Sequence, residues 1–235
     1  LPPLGRASIR AGQLNEPMQT QAMDKADIRE FRKWHRDAAM RGMEAGYDII
    51  YVYAGHDLSV AFHFLTQRNN RRTDEYGGVL ENRVRLLREL IEDTRDAVGG
   101  RCAVAVRLAV DEQMAGGLCR EGEGAEIFSR LADLPDLWDV NVADWANDSM
   151  TARFAAEGYQ EAFLLGLKAL TSKPVVGVGR FTSPDTMVSL VRRGVLDLIG
   201  AARPSIADPF LPRKIQEGRA DEIRECIGCN ICVSG

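Results

Sequence analysis

The chain has 235 residues, 45% hydrophobic and 27% charged, with a formal net charge of −4. That length suits one large domain with a substantial core, and no basic block, heptad run or repeat points to nucleic acid or a coiled coil. The longest apolar runs fall far short of the roughly 18–20 residues that cross a bilayer, and the opening LPPLGRASIRAGQLNEPMQTQ lacks the charged and apolar regions of a signal peptide. The expectation is a cytoplasmic protein without a membrane or nucleic-acid partner.

From Asp24 the pattern alternates. MDKADIREFRKWHRDAAMRGMEAG has helical periodicity, with Ile28, Phe31, Trp34, Ala38 and Met43 near one face, Asp24 as N-cap and Gly46 as C-terminal stop. YDIIYVYAG reads as a buried strand. A long loop, HDLSVAFHFLTQRNNRRTDEYGG, follows; its charged part reads as solvated, with local ion pairs. VLENRVRLLRELIEDTRDAVGG is a strong amphipathic helix closed by glycines, and CAVAVRLAV is the next strand. EGAEIFSRLADL is helical, LWDVNVADW a strand, QEAFLLGLKALT helical and KPVVGVG a strand. SPDTMVSLVRRGV is a helix capped by Ser183 with Pro184 at its first position. LDLIGAA is the fifth strand, and FLPRKIQEGRADEIREC is a short helical tail.

Nearly continuous apolar strands alternating with helices predict an α/β protein, a parallel sheet with helices on both sides. A doubly wound sheet and a (β/α)8 TIM barrel compete. No G-x-G-x-x-G follows the first strand, which disfavours the dinucleotide fold. A barrel needs eight strands and typically about 250 residues. Five strands therefore predict an incomplete barrel lacking its first strands, a piece cut at both ends.

Ligands of parallel α/β folds bind at the carboxyl ends of the strands. Those ends carry Tyr53 and His56, Arg107, then Asp144, Trp145 and Asp148, then Gly177, Gly179 and Arg180, and finally Gly200 and Arg203. The last two are glycine-rich, and one leads into a helix N-terminus at Ser183 that could approach a phosphate. Tyr53 and His56 could equally be a strand tyrosine and a loop histidine, and Trp145 and Asp148 a packing tryptophan and a capping carboxylate. His35 and His63 are given no role.

Five cysteines, an odd number with three in one cluster, suggest metal or redox chemistry rather than disulfides. Cys226, Cys229 and Cys232 form a C-x2-C-x2-C run; zinc favours paired C-x2-C elements, whereas this spacing suits an iron–sulfur cluster. A fourth ligand is needed, most simply a cysteine beyond Gly235.

FLTQRNNRRTDEYGGVLENRVRLLRELIE resembles the old yellow enzyme family of flavin barrels. GAARPSIADPFLPRKIQEGR followed by CIGCNIC resembles its iron–sulfur branch, which holds 2,4-dienoyl-CoA reductases and the trimethylamine, dimethylamine and histamine dehydrogenases. The resemblance runs from about Met23 to Cys232, and YVYAGH and WAND are similar to the amine dehydrogenases. It implies a triad of Tyr53, His56 and Asp148 over the flavin, and Trp145 as an aromatic wall of the amine pocket. Arg107, Gly179, Arg180, Ala202 and Arg203 would hold FMN, and Cys226, Cys229 and Cys232 three corners of a [4Fe-4S] cluster. Residues 1–212 would be the C-terminal part of the FMN barrel and 213–235 the start of the cluster segment. The implied reaction is oxidative dealkylation of a small secondary or tertiary amine, of dimethylamine or trimethylamine type. Electrons would pass from FMN through the cluster to an external acceptor, an electron-transferring flavoprotein, in a homodimeric enzyme. The rival is an NAD(P)H-dependent enoate or 2,4-dienoyl-CoA reductase; a non-catalytic piece is the third reading. The region that carries the branch's covalent flavin attachment is absent from these residues.

Overall fold

A computed structural model describes residues 21–57, 59–144 and 154–234. Helix α1, Lys25–Glu44, begins at Asp24, whose carboxylate accepts from the backbone of Ala26 and Asp27 while Asp27 returns the bond to Asp24 N. This reciprocal box satisfies N-terminal amides that have no intrahelical partner. Gly46 follows the helix at φ +89°, a left-handed conformation that favours glycine. Ile28 and Ala39 are buried, but Trp34 is 59% exposed. At 3.6 residues per turn, six positions on from Ile28 lies about 120° off the buried stripe, so Trp34 does not share that face.

Strand β1, Ile49–Ala54, is followed by α2, Val60–Leu65, within the stretch expected to be a loop. The Ser59 hydroxyl accepts from Phe62 N and caps it, and five of its six residues are buried. His63 is among them, contrary to its expected loop setting. The order continues α3 Leu80–Val98, β2 Ala103–Ala109, a π-turn at Arg120–Gly124, α4 Ala125–Leu131 and β3 Leu137–Asn141. Next come α5 Glu161–Leu164, a 3-10 turn Leu167–Leu170, β4 Val175–Gly177, α6 Pro184–Arg192 and β5 Leu198–Ile199. A short helix α7, Ala202–Ala207, not expected from the sequence, precedes α8, Leu211–Gln216, a 3-10 turn and α9, Ile231–Ser234. The expected 212/213 boundary falls inside α8.

Among the described residues five strands are parallel and lie in the order β1-β2-β3-β4-β5. Right-handed crossovers between strands in sequential order place successive helices on the same side of a sheet. That is barrel-like winding, without the switch point of a doubly wound sheet. Burial agrees: Val52, Val106, Trp138 and Val175 form one register row and all are 0% exposed. The next row, Tyr53, Arg107, Asp139, Val176 and Leu198, lies on the opposite face. On that face Ile49, Tyr51, Tyr53 and Leu198 are 40–48% exposed. The expectation of a fully buried first strand and helices on both faces is corrected accordingly. The five-stranded incomplete barrel stands.

Amphipathic α3 supplies much of the core: Val84, Leu86, Leu87 and Ile91 are fully buried, each contributing about 1.5–3 kcal/mol. Gly177 is required by close packing, since a Cβ there would lie 2.7 Å from Leu164 and Leu196 side chains. No helix among the described residues is long and apolar enough to cross a membrane.

Candidate active site

The C-terminal edge of the sheet gathers the polar residues. Tyr53 projects onto the open face near the end of β1. The chain then turns at Gly55, where a Cβ would lie 2.8 Å from Arg107 Cγ, so glycine allows the turn to sit against the β2 arginine. His56, 4% exposed, is held by that turn: Ser59 N (3.1 Å) and Ser59 Oγ (3.2 Å) both donate to its carbonyl. Its Nδ1 is hydrogen-bonded to Tyr53 Oη. Its Nε2 lies 3.0 Å from Asn141 Nδ2 at the end of β3. Two expected site residues thus meet, joined by one that sequence reasoning overlooked.

One register step away, Arg107 Nη1 donates to Asp139 Oδ2 at 2.8 Å. Asp139 and Asn141 alternate in LWDVNVADW, and polar residues at spacing two within an apolar strand were the available signal. Tyr51, on the same face, has its phenol pushed above its ordinary value by burial and then by the nearby Asp139 charge. Beside this edge lies a cavity of about 280 Å³. Arg107 and Asp139 from the sheet, Gly179–Arg180 after β4, Ala202–Arg203 from α7, and Cys232 all line it.

Three arginines around one small cavity suit an anion. A Cβ on Gly200 would lie 2.6 Å from Val178 Cγ1, and Gly179 also leaves its strand end without a side chain. Arg180 holds φ +56°, a left-handed conformation costing an ordinary residue roughly 1–2 kcal/mol; such strain concentrates at ligand sites. A flavin mononucleotide phosphate fits this donor set. The helix N-terminus at Ser183 is a different matter: it is already occupied. Glu157 Oε1 accepts from Thr182 N at 2.5 Å and Ser183 N at 2.7 Å, and Oε2 accepts from Thr186 Oγ1 at 3.1 Å. A phosphate at this loop would use Gly179 and Arg180, not the α6 cap.

The cysteine tail is tied to the cavity. Arg203 Nη1 donates to Asn230 Oδ1 at 2.7 Å, between Cys229 and Cys232. Upstream, Asp208 accepts from Lys214 Nζ (2.7 Å), Arg224 N (3.0 Å) and Phe210 N (3.0 Å), holding its carboxyl at a pKa of about 2. Cys226 is half-buried, Cys229 and Cys232 are exposed, and among the described residues no three His, Cys, Asp or Glu converge as a metal site. Trp145 and Asp148 lie outside the described residues.

A second cavity, about 650 Å³, lies away from this edge against α2 and the Arg68–Asp74 loop. Burial holds the imidazole of His63 there below its ordinary pKa. Within the loop Arg72 chelates Asp74 as expected, but Arg68 pairs with Glu112 and Glu75 with Lys25, so the expectation of purely local ion pairs is corrected.

Comparison with known proteins places this geometry. Residues 5–222 match the model of the NADH:flavin oxidoreductase / NADH oxidase family. The chain is 42% identical to dimethylamine dehydrogenase from Hyphomicrobium sp. (strain x) over 89% of its own length and 29% of that protein's. It superposes on histamine dehydrogenase from Rhizobium sp. 4-9 with a TM-score of 0.89 and 51% identity, covering 94% of this chain and 32% of that one. The 6-hydroxypseudooxynicotine amine oxidase of Pseudomonas geniculata N1 gives the same TM-score at 61% identity, covering 93% and 33%. The chain spans about a third or less of each relative. The matched family model covers nearly the whole chain, and the chain belongs to the NADH:flavin oxidoreductase / NADH oxidase family.

Proposed function

We propose that this chain is the C-terminal part of the flavin barrel of an amine dehydrogenase, acting on a small secondary or tertiary amine. Residues 1–212 are the barrel part and 213–235 begin an iron–sulfur segment. The observation that carries the reading is the Tyr53–His56 hydrogen bond beside a cavity walled by Arg107, Arg180 and Arg203. Similarity to dimethylamine and histamine dehydrogenases supports an amine over an alkene substrate.

Arg107, Gly179, Arg180, Ala202 and Arg203 would hold FMN, with the arginines neutralising its phosphate and polar ring edge. Cys226, Cys229 and Cys232 would supply three thiolates to a [4Fe-4S] cluster, with the fourth ligand from elsewhere. FMN held by these residues would supply the electron acceptor for oxidation of the substrate carbon, and a cluster on Cys226, Cys229 and Cys232 would supply one-electron relay chemistry towards an external acceptor such as an electron-transferring flavoprotein. The protein's own task is ionisation: an alkylammonium must lose a proton before its nitrogen lone pair can assist oxidation. Tyr53 faces the open side of the sheet and can exchange that proton, with buried His56 behind it. Asp148 would support His56 electrostatically. Trp145 would offer an aromatic face to the cation, worth up to about 2 kcal/mol when desolvated.

The test uses the full-length protein under anaerobic conditions, with dimethylamine, trimethylamine, histamine and NADH added separately while flavin bleaching is followed. Bleaching by an amine and not by NADH is expected. Bleaching by NADH alone would move Tyr53 to the proton donor of an enoate or dienoyl-CoA reductase and overturn the amine reading.

A further inference from the structure

The loop between β4 and α6 is gripped on both sides of Arg180 by two consecutive residues. On one side Gly179 O accepts from Gly158 N at 2.7 Å. A Cβ on Gly179 would lie 3.4 Å from Gly158 Cα and 3.5 Å from Gln160 N, so the two backbones run in contact. On the other side Glu157 Oε1 accepts from Thr182 N and Ser183 N, and Oε2 from Thr186 Oγ1. Phe181, between the two grips, is 1% exposed. The residue they straddle is left-handed at φ +56°, a conformation that side chains other than glycine disfavour. Such a conformation persists only where the surroundings impose it.

We infer that Glu157 is a positioning residue for the flavin phosphate: with Gly158 it clamps the loop on either side of Arg180 and holds that arginine at the cavity before the cofactor arrives. Glu157 is not among the residues that line the cavity. It acts instead through the backbone of Thr182 and Ser183, which continues directly from the Gly179–Phe181 wall. A loop already in place loses less conformational freedom when its ligand binds, and a loop competent for only part of the time lowers the apparent affinity by that fraction. The inference rests on reading this cavity as the FMN phosphate site.

The test compares FMN with riboflavin, which has the same ring and no phosphate. Both are titrated into flavin-free full-length protein in phosphate-free buffer. Glu157→Ala should bind FMN ~10-fold more weakly, about the size of one lost charge-assisted hydrogen bond, and riboflavin as the wild type does. Glu157→Gln, which keeps an acceptor oxygen, should fall between the two. In an Arg180→Gly background neither substitution should weaken FMN further, because glycine adopts the left-handed conformation freely and has no side chain to position.

Equal weakening of both flavins would make Glu157 a general folding residue and overturn the inference. Unchanged FMN affinity in Glu157→Ala would also overturn it. So would tighter FMN binding, which would mean that the phosphate had moved to the vacated start of α6. If Arg180→Gly alone leaves the preference for FMN over riboflavin intact, the reading of the cavity as the phosphate site fails instead.

Discussion

Glu157 offers a sharp perturbation, because one side chain satisfies the start of a helix that would otherwise invite an anion. Its carboxylate takes the amides of Thr182 and Ser183 and the hydroxyl of Thr186. Thr182 is 8% exposed, so water cannot easily replace the lost acceptor. Hydrogen bonds to charged groups contribute roughly 1.5–3 kcal/mol each, and a carboxylate at a helix N-terminus adds about 0.3–1 kcal/mol. Glu157 is only half-buried, so these do not sum fully. About 2 kcal/mol of local opening free energy is the expected loss in Glu157→Ala, and about 1 kcal/mol in Glu157→Gln, which keeps an acceptor but no charge. Hydrogen exchange of a peptide spanning 181–187 measures this in the full-length protein. At 1.4 kcal/mol per tenfold, exchange should quicken ~30-fold in the alanine variant and ~5-fold in the glutamine variant. Inorganic phosphate should slow exchange in Glu157→Ala, because a vacated helix N-terminus binds anions, and leave the wild type unaffected. Wild-type exchange in the alanine variant, or equal protection of both proteins by phosphate, would refute the reasoning.

Arg203→Ala should weaken the affinity of flavin-free protein for added FMN ~10–100-fold, as expected for one lost charge-assisted contact, and a flavin titration reads this out; unchanged affinity would remove Arg203 from the cofactor site. Asp208→Asn should free the tail from Lys214 and Arg224, seen as faster tryptic cleavage after Arg219 and Arg224, and unaltered cleavage would refute the tether. Acid should act in two windows. Burial keeps His63 and His35 neutral, with folded pKa values below the ordinary 6.5. The unfolded chain therefore binds those protons first, and their contribution, complete above about 6.5, is lost as pH falls below it. The depressed Asp208 carboxyl contributes above about 4 and is lost as pH falls through about 2. Denaturant midpoints measured across pH should step down in each window, and a flat profile between pH 7 and pH 5 would count against neutral burial of His63.

Much of the framework was legible in the sequence because its causes are local. The Asp24 box, the glycine exit of α3 and the Ser183–Pro184 start of α6 each rest on a few adjacent residues. Strand ends rich in glycine and arginine marked the cavity, and Tyr53 with His56 lay three residues apart on one turn. Misreadings arose where a local signal was weak or misassigned: α2 and α7 are six residues each, too short for periodicity to stand out, and Trp34 was grouped by hydrophobicity although its angle on the helix excludes it.

The sequence by itself determined the five βα repeats, the cap chemistry, the positions of the strand ends and the cysteine spacing, all consequences of periodicity and neighbouring side chains. Only the tertiary structure decided which distant groups meet. Asn141 reaches His56 across 85 positions because β1, β2 and β3 align in a register that no single strand encodes. The same packing put Glu157 on the α6 cap, tied Arg203 to Asn230, and left Tyr51 and Tyr53 partly exposed on one sheet face, because contact between remote elements depends on how the whole sheet buries its apolar side.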